Sequence, residues 1–412
     1  MPRLHRPFRS ATLAAAVLAC AATAVAQTPQ KRFSGGPVTL ADQGSFFIGG
    51  VTKISEFAAI PGAPPGQTPP PPTPQQITIG QMYVQFQIPA KIKGPGWPVI
   101  MVHGSTHSGA ALESTPDERE GWYPYFVRKG VATYVVDQAG RGRSGFDHSV
   151  LHEARAKALA GDAAGAASLL PNFGRISDTQ AWTFWFGHLL PAGSTIATGG
   201  RLIKHADPGD PQPADPKKPH VAPLFPTDVA GEYYKQLLPN AEVTLPGSTC
   251  AACTPQTLPP ARTWTPQALA LLVERLGGAV IATHSQSGIM GHHAVRLLKE
   301  KGKLGLVKGL ITIEGGCSLA QSGLTAADFD AIPYLVVKGD YANVSQQCQQ
   351  NVDAFTRRRA EKQGTAKVDY LKLDDLKMLG TTHMMMLDSN NLRIADLMLD
   401  WAGKHVAKAP KR

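Results

Sequence analysis

The segment richest in chemistry is 279–291, AVIATHSQSGIMG. An apolar run leads into a glycine-bearing stretch, and Ser285 stands between them. A strand turning sharply into a helix at that point would expose the Ser285 hydroxyl, in the manner of the nucleophile elbow G-x-S-x-G. Such a turn needs small side chains two positions before and two after the nucleophile. Thr283 and Ser287 occupy those glycine places, and Thr283 is accommodated if its methyl faces inward. Ser287 is not the nucleophile, because Ile289 would then fill a place that needs a small residue. Gly288 and Gly291 would let the helix lie close to the sheet.

A serine hydroxyl is a weak nucleophile at neutral pH and needs a base. The histidines after Ser285 are His292, His293, His383 and His405. His292 and His293 belong to the elbow helix and lead away from the active edge, and His405 belongs to the closing helix. His383 falls in a loop between the final strand and the final helix, where it can return to the serine, so it is the expected base. Two acids follow the elbow: Glu314 at the end of the next strand (LITIEGG) and Asp340 after the one beyond (VVKGDY). Glu314 is favoured for its longer side chain and the two glycines behind it; Asp340 stays as its rival. An oxyanion needs backbone donors. One is expected from the N–H of Gln286, the other from the loop after PVIMVHG, at Ser105 or its neighbour Thr106. His103 reads as a holder of that loop. This set equips the chain for acyl transfer and calls for no metal and no organic cofactor.

These residues need a scaffold, and the chain provides alternating strand and helix patterns. Strands are expected at 82–89, 98–103, 131–137, 279–283, 310–313, 334–337 and 368–373. Helices are expected at 121–129, 265–276 with Thr265 as N-cap and Pro266 at the first position, 292–301, 352–363 and 392–405. That alternation implies right-handed crossovers and a mostly parallel central sheet flanked by helices, an α/β fold. Between Asp137 and Ala279 lie 141 residues, where one helix and two loops need about 25 to 30. The insert contains an alanine-rich helix candidate at 152–170, the aromatic run Trp182, Phe184, Trp185, Phe186, and a proline-rich loop at 207–226. It is expected to cap the C-terminal edge of the sheet, where open α/β sheets bind ligands. The aromatic run either packs the cap to the body or lines the pocket. A second proline-rich loop, residues 61–74 with eight prolines, is expected to be extended. The expected organisation is a signal peptide at 1–26, core at 27–145, cap at 146–262 and core again at 263–412.

The chain has 412 residues with 43% hydrophobic and 17% charged, a folded globular composition. Arg3, Arg6 and Arg9, an apolar small-residue run and Ala24-Val25-Ala26 read as a secretory signal. Its removal takes three arginines and no acid, lowering the net charge from +10 to +7. That charge is spread out and has no aromatic-interleaved basic stripe, which argues against a nucleic-acid partner. No apolar run reaches the roughly 20 residues of a membrane span. Four cysteines remain after the signal: Cys250, Cys253, Cys317 and Cys348. An even count in an exported chain predicts two disulfides, read here as a local Cys250–Cys253 staple and a Cys317–Cys348 clamp between neighbouring strand ends.

Taken together, these patterns resemble the α/β-hydrolase superfamily, and several runs resemble a narrower branch, exported bacterial carboxylesterases whose acid is a glutamate after the strand following the elbow. The runs are SFFIGG (45–50), HGSTHSG (103–109), TPDEREGW (115–122), YVVDQAGRGRSG (134–145), THSQSG (283–288), the Glu314 strand and GTTHMMMLDSNNLRIADLMLDW (380–401). The resemblance implies Ser285 as nucleophile, His383 as base and Glu314 as acid, ester hydrolysis on a small-molecule substrate, and a disulfide-containing fold in the periplasm or outside the cell. It leaves open a homo-oligomer. The same triad would also serve amide or lipid substrates, and an inactive binding protein on this fold would require the three side chains to miss one another.

Overall fold

The structure is a computed structural model and describes residues 35–59, 64–68, 70–211, 219–247, 264–341 and 346–410. The signal segment and the Cys250–Cys253 pair lie outside these residues.

Ten strands and eleven α-helices are present among them. A long hairpin opens the chain, β1 (Leu40–Ser55) against β2 (Gln75–Pro89). It reaches well beyond the strand expected at 82–89. Then come β3 (Val99–Val102), the short α1 (Ala110–Glu113), α2 (Trp122–Arg128) and β4 (Thr133–Asp137). The insert follows with α3 (Ser149–Leu159), α4 (Ala163–Leu169), α5 (Asp178–Trp185), the hairpin β5 (Gly187–Leu190) and β6 (Arg201–Lys204), and α6 (Ala230–Tyr234). The body resumes with α7 (Trp264–Leu276), β7 (Ala279–His284), α8 (Ser287–Glu300), β8 (Val307–Ile313) and α9 (Leu319–Ser322). It closes with β9 (Tyr334–Lys338), α10 (Gln346–Ala360), β10 (Val368–Lys372) and α11 (Asn391–His405).

Eight strands form one sheet in the order β1-β2-β4-β3-β7-β8-β9-β10. The pairings β1–β2 and β2–β4 are antiparallel; every pairing from β4 to β10 is parallel. The central strands are buried on both faces, and their alternate residues feed two separate cores. Val99, Met101, Val280, Ala282, Ile311 and Ile313 join α2 and α11 in one core. Ile100, Val102, Ala279, Ile281, Leu310 and Val336 join α7, α8 and α10 in the other. The insert contributes Ala181, Trp182, Phe186, Phe225 and Tyr233 to the first core, so insert and body share one hydrophobic interior.

Three local expectations are corrected. The helix candidate at 152–170 is two helices, broken at Gly161 (φ +82), where Asp162 caps α4 by accepting the Gly165 N–H. Thr265 is no N-cap: α7 already begins at Trp264, and the Thr265 hydroxyl accepts the Ala139 N–H at 3.1 Å, tying the helix to the body. Cys317 and Cys348 are bonded, S–S 1.95 Å, but Cys348 stands in the first turn of α10 and not at a strand end.

Candidate active site

Ser285 occupies the turn between β7 and α8 with φ 55, a left-handed conformation that costs a non-glycine residue on the order of 1–3 kcal/mol. The turn is held by its neighbours. The Ser285 N–H donates to Ile313 O at 3.0 Å, and the Ser285 carbonyl accepts the N–H groups of Gly288 and Gly316. Ser287 is spent on the turn itself: its hydroxyl accepts the His284 N–H at 2.9 Å and donates to Val102 O and His284 O. Behind the turn, α8 lies directly on the loop after β8. A Cβ on Gly288 would come within 2.6 Å of Gly316 N, and one on Gly315 within 2.9 Å of Gly288 Cα, so the two backbones touch where only glycine fits.

That contact brings Glu314 beside the elbow. Glu314 also has positive φ, 44. Its carboxylate is 1% exposed; Oε1 accepts the Gly339 N–H and Oε2 lies 2.6 Å from His383 Nδ1. Asp340, the other candidate acid, accepts the Gly380 N–H at 2.8 Å and so braces the stretch leading to His383.

His383 is held from several sides. Its carbonyl receives His284 Nε2 at 2.9 Å, and the two imidazole rings are 4.6 Å apart. His284 is buried, and that burial, reinforced by the His383 charge, holds its pKa well below the usual histidine value, so it stays neutral. The Trp185 indole is stacked on the His383 ring at 5.4 Å and 22°. One residue earlier, the Thr382 N–H and hydroxyl donate to the buried Asp388 carboxylate. Burial pushes the Asp388 pKa up to about 7 against the pull of those hydrogen bonds. Arg119, in the run TPDEREGW, donates to the carbonyls of Leu387 and Asp388 at 2.8 Å and anchors the loop that carries His383 to the body.

The loop after β3 faces Ser285. A Cβ on Gly104 would stand 2.9 Å from the Ser285 Cβ. The Gly104 carbonyl accepts from Arg141 Nη1 at 3.0 Å and from His103 Nδ1 at 2.8 Å. In a planar trans peptide the Ser105 N–H therefore points the opposite way. The Thr106 N–H is committed to Asn240 Oδ1 at 2.9 Å, which removes Thr106 from the two expected donors and leaves Ser105. Gln286, at the start of α8, keeps its side chain against Arg141 and Gln138, while N–H groups at a helix start have no intrahelical acceptor. His103 holds the loop as expected: its Nε2 accepts the Gln138 N–H, and burial with the nearby Arg141 lowers its pKa to about 3.

Sequence reasoning missed several residues here. Asn240 and Glu242 come from the insert with no motif around them. Asn240 pins both Ser105 Oγ and the Thr106 N–H. Glu242 forms a buried pair with Arg141. His284 was legible only as the elbow's neighbour. Of the aromatic run, Trp182 and Phe186 are buried in the shared core and pack the insert onto the body, Trp185 faces His383, and Phe184 is 58% exposed. A cleft of about 930 Å³ lined by Trp97, Pro98, Tyr134 and Arg275 opens at the N-terminal ends of β3 and β4, the edge opposite these residues.

A mostly parallel eight-stranded sheet in this order, with a positive-φ serine between a buried strand and its crossover helix, is the architecture of the α/β-hydrolases. A solved bacterial esterase is 30% identical, the match covering 91% of this chain and 99% of that one with a TM-score of 0.68. A probable secreted lipase, phiG, from a fungal species (strain ATCC 74256), is 22% identical over 380 residues, 78% of this chain and 86% of that protein. No protein-family model matches the chain. The chain belongs to the α/β-hydrolase esterase family that the bacterial enzyme represents.

Proposed function

We propose that this chain is an exported serine carboxylesterase acting on small-molecule esters, with residues 146–262 as its cap. The observation that carries the reading is the 2.6 Å contact between Glu314 Oε2 and His383 Nδ1 beside a serine on a strained turn. Ser285 attacks the ester carbonyl while His383 Nε2 takes its proton. Glu314 accepts the Nδ1–H, which fixes the productive tautomer and stabilises the imidazolium. Trp185 adds its π face to the same cation. The oxyanion is met by the backbone N–H groups of Ser105 and Gln286. The alcohol departs with a proton from His383, and a water activated by His383 releases the acid from the acyl-enzyme. Trp185 is the partly exposed ring that offers a substrate an aromatic face, backed by the buried rings of His107 and Tyr233 at 6.0 and 6.2 Å. The basic and apolar start of the chain and the Cys317–Cys348 bond support export.

The test is labelling of the mature protein with a fluorophosphonate, followed by peptide mapping and hydrolysis of p-nitrophenyl esters of graded chain length. Labelling maps to Ser285, disappears in Ser285→Ala, and accompanies ester turnover. Folded, oxidised protein that neither labels nor turns over any ester would overturn the reading.

A further inference from the structure

The cap holds a second cluster with a chemistry of its own. His188 lies in β5, His205 directly follows β6, and Asp210 follows a turn at Ala206. His220 approaches from the far end of the proline-rich loop. All three imidazoles converge on the one carboxylate. His188 Nδ1 is 2.5 Å from Asp210 Oδ1, His220 Nε2 is 2.7 Å from Oδ2, and His205 Nδ1 is 3.5 Å from Oδ2. The ligand atoms of His188, His205 and Asp210 lie within 4.8 Å of one another. The Asp210 side chain is 0% exposed, and those of His205 and His220 are each 15% exposed. Ala206 adopts φ 69 at the turn, with its N–H donated to Asp210 Oδ2 at 3.1 Å.

We propose that His188, His205, His220 and Asp210 form a structural site for zinc or a similar borderline divalent ion. Two imidazoles and one carboxylate already stand at ligand spacing and supply the nitrogen and oxygen donors that zinc prefers; His220, bonded to the same carboxylate, completes the tetrahedron by swinging its Nε2 toward the other two imidazoles. Donors about 2.0–2.1 Å from a tetrahedral ion lie roughly 3.3 Å from each other. The His205–Asp210 separation already matches that spacing. The two shorter contacts are hydrogen bonds that must open by less than about 1 Å, with the inward imidazole protons moving to the outward ring nitrogens, and the His220 ring, whose Nε2 also accepts the Ala206 N–H at 3.2 Å, must swing in toward His188 and His205.

The placement gives the ion a purpose. His205 is stacked on Tyr341 at 4.3 Å and 10°. The Tyr341 hydroxyl donates to the Val221 carbonyl, and its N–H donates to Thr381 O at 3.1 Å, two residues before His383. An ion here would clamp the β5–β6 hairpin and the end of the proline-rich loop onto the segment that carries the base. The hydrolytic chemistry itself does not pass through it.

The test uses the full mature protein, stripped with a chelator and titrated with zinc chloride. The expected result is one zinc retained per chain after dialysis and, at free zinc about 100-fold above Kd, a Tm rise of roughly 3 °C. Cobalt in its place should give the intense visible bands of a four-coordinate ion. Asp210→Asn and the half-exposed His188→Gln, which keeps the fold, should each weaken zinc retention at least tenfold. His405→Gln, at a surface pair with Asp369, should leave it unchanged. No zinc bound at micromolar free metal would overturn the proposal. So would unchanged retention in His188→Gln combined with Asp210→Asn, or loss of zinc on replacing Cys250 and Cys253 by serine.

Discussion

The sharpest prediction concerns Glu314→Gln. The carboxylate makes two hydrogen bonds as an acceptor, Oε1 from the Gly339 N–H and Oε2 from His383 Nδ1–H. A glutamine has one oxygen and one NH₂, so it can serve only one of these partners. If its oxygen stays on the Gly339 N–H, the NH₂ faces His383 Nδ1 and holds the imidazole with its proton on Nε2. That tautomer cannot take the Ser285 proton. If the amide flips, its NH₂ opposes the Gly339 N–H at a site that is 1% exposed, leaving a buried donor unsatisfied at a cost of about 1–3 kcal/mol. The first arrangement is the cheaper one, so the wrong tautomer dominates. Loss of the productive tautomer in a serine–histidine–acid triad costs on the order of 10⁴ in kcat, equivalent to about 5.5 kcal/mol of transition-state stabilisation. Steady-state hydrolysis of a p-nitrophenyl ester should therefore show kcat down by roughly 10³–10⁴ with KM within a few-fold, and Tm close to that of the parent. Asp340→Asn is the companion measurement: its carboxylate braces Gly380, and the change should cost less than about tenfold. A Glu314→Gln enzyme retaining more than a tenth of kcat, or an Asp340→Asn enzyme more damaged than it, would refute the assignment of the acid.

Three further outcomes are expected. Asn240→Ala strips the Thr106 N–H of its buried acceptor and frees the Ser105 loop; kcat should fall roughly 10- to 100-fold with fluorophosphonate labelling slowed in parallel, and an unchanged kcat would remove the loop from the oxyanion site. Trp185→Leu removes the ring over His383 and should lower kcat/KM by roughly 3- to 30-fold, which steady-state kinetics on short and long acyl esters would read. Stability should fall steeply as pH drops from about 6.5 toward 4. Burial lowers His103 to about 3, His107, His292 and His293 to about 4, and His284 well below the usual value, so in that window the unfolded chain binds five protons that the folded one refuses. Asp388, pushed up to about 7 by burial, works against this by one proton. The net slope is on the order of 5 kcal/mol per pH unit, measurable as the urea midpoint between pH 7 and pH 5; a flat midpoint would contradict it.

How much of this was visible in the chain depends on how local each feature is. The alternation of β-branched apolar runs with amphipathic helices is enough to dictate a parallel sheet, because strands buried on both faces read as continuous apolar segments and the crossovers have one hand. The elbow was legible for the same reason: small residues at 283, 287, 288 and 291 are demanded by backbone contacts within a few residues of Ser285. His383 and Glu314 could be nominated because chain order around a parallel sheet dictates which strand ends share an edge. What favours Glu314 over Asp340 is a positive φ at Glu314 and the side-chain contact to His383, which are matters of tertiary geometry. Everything that crosses from the insert to the body was decided there too: Asn240 on the Ser105 loop, Glu242 on Arg141, Trp185 on His383, and three histidines brought to Asp210 from three separate segments. These are contacts between residues far apart in the chain, made by side chains that carry no periodic or spacing signal. Only packing of the cap into the same core as the sheet brings them together.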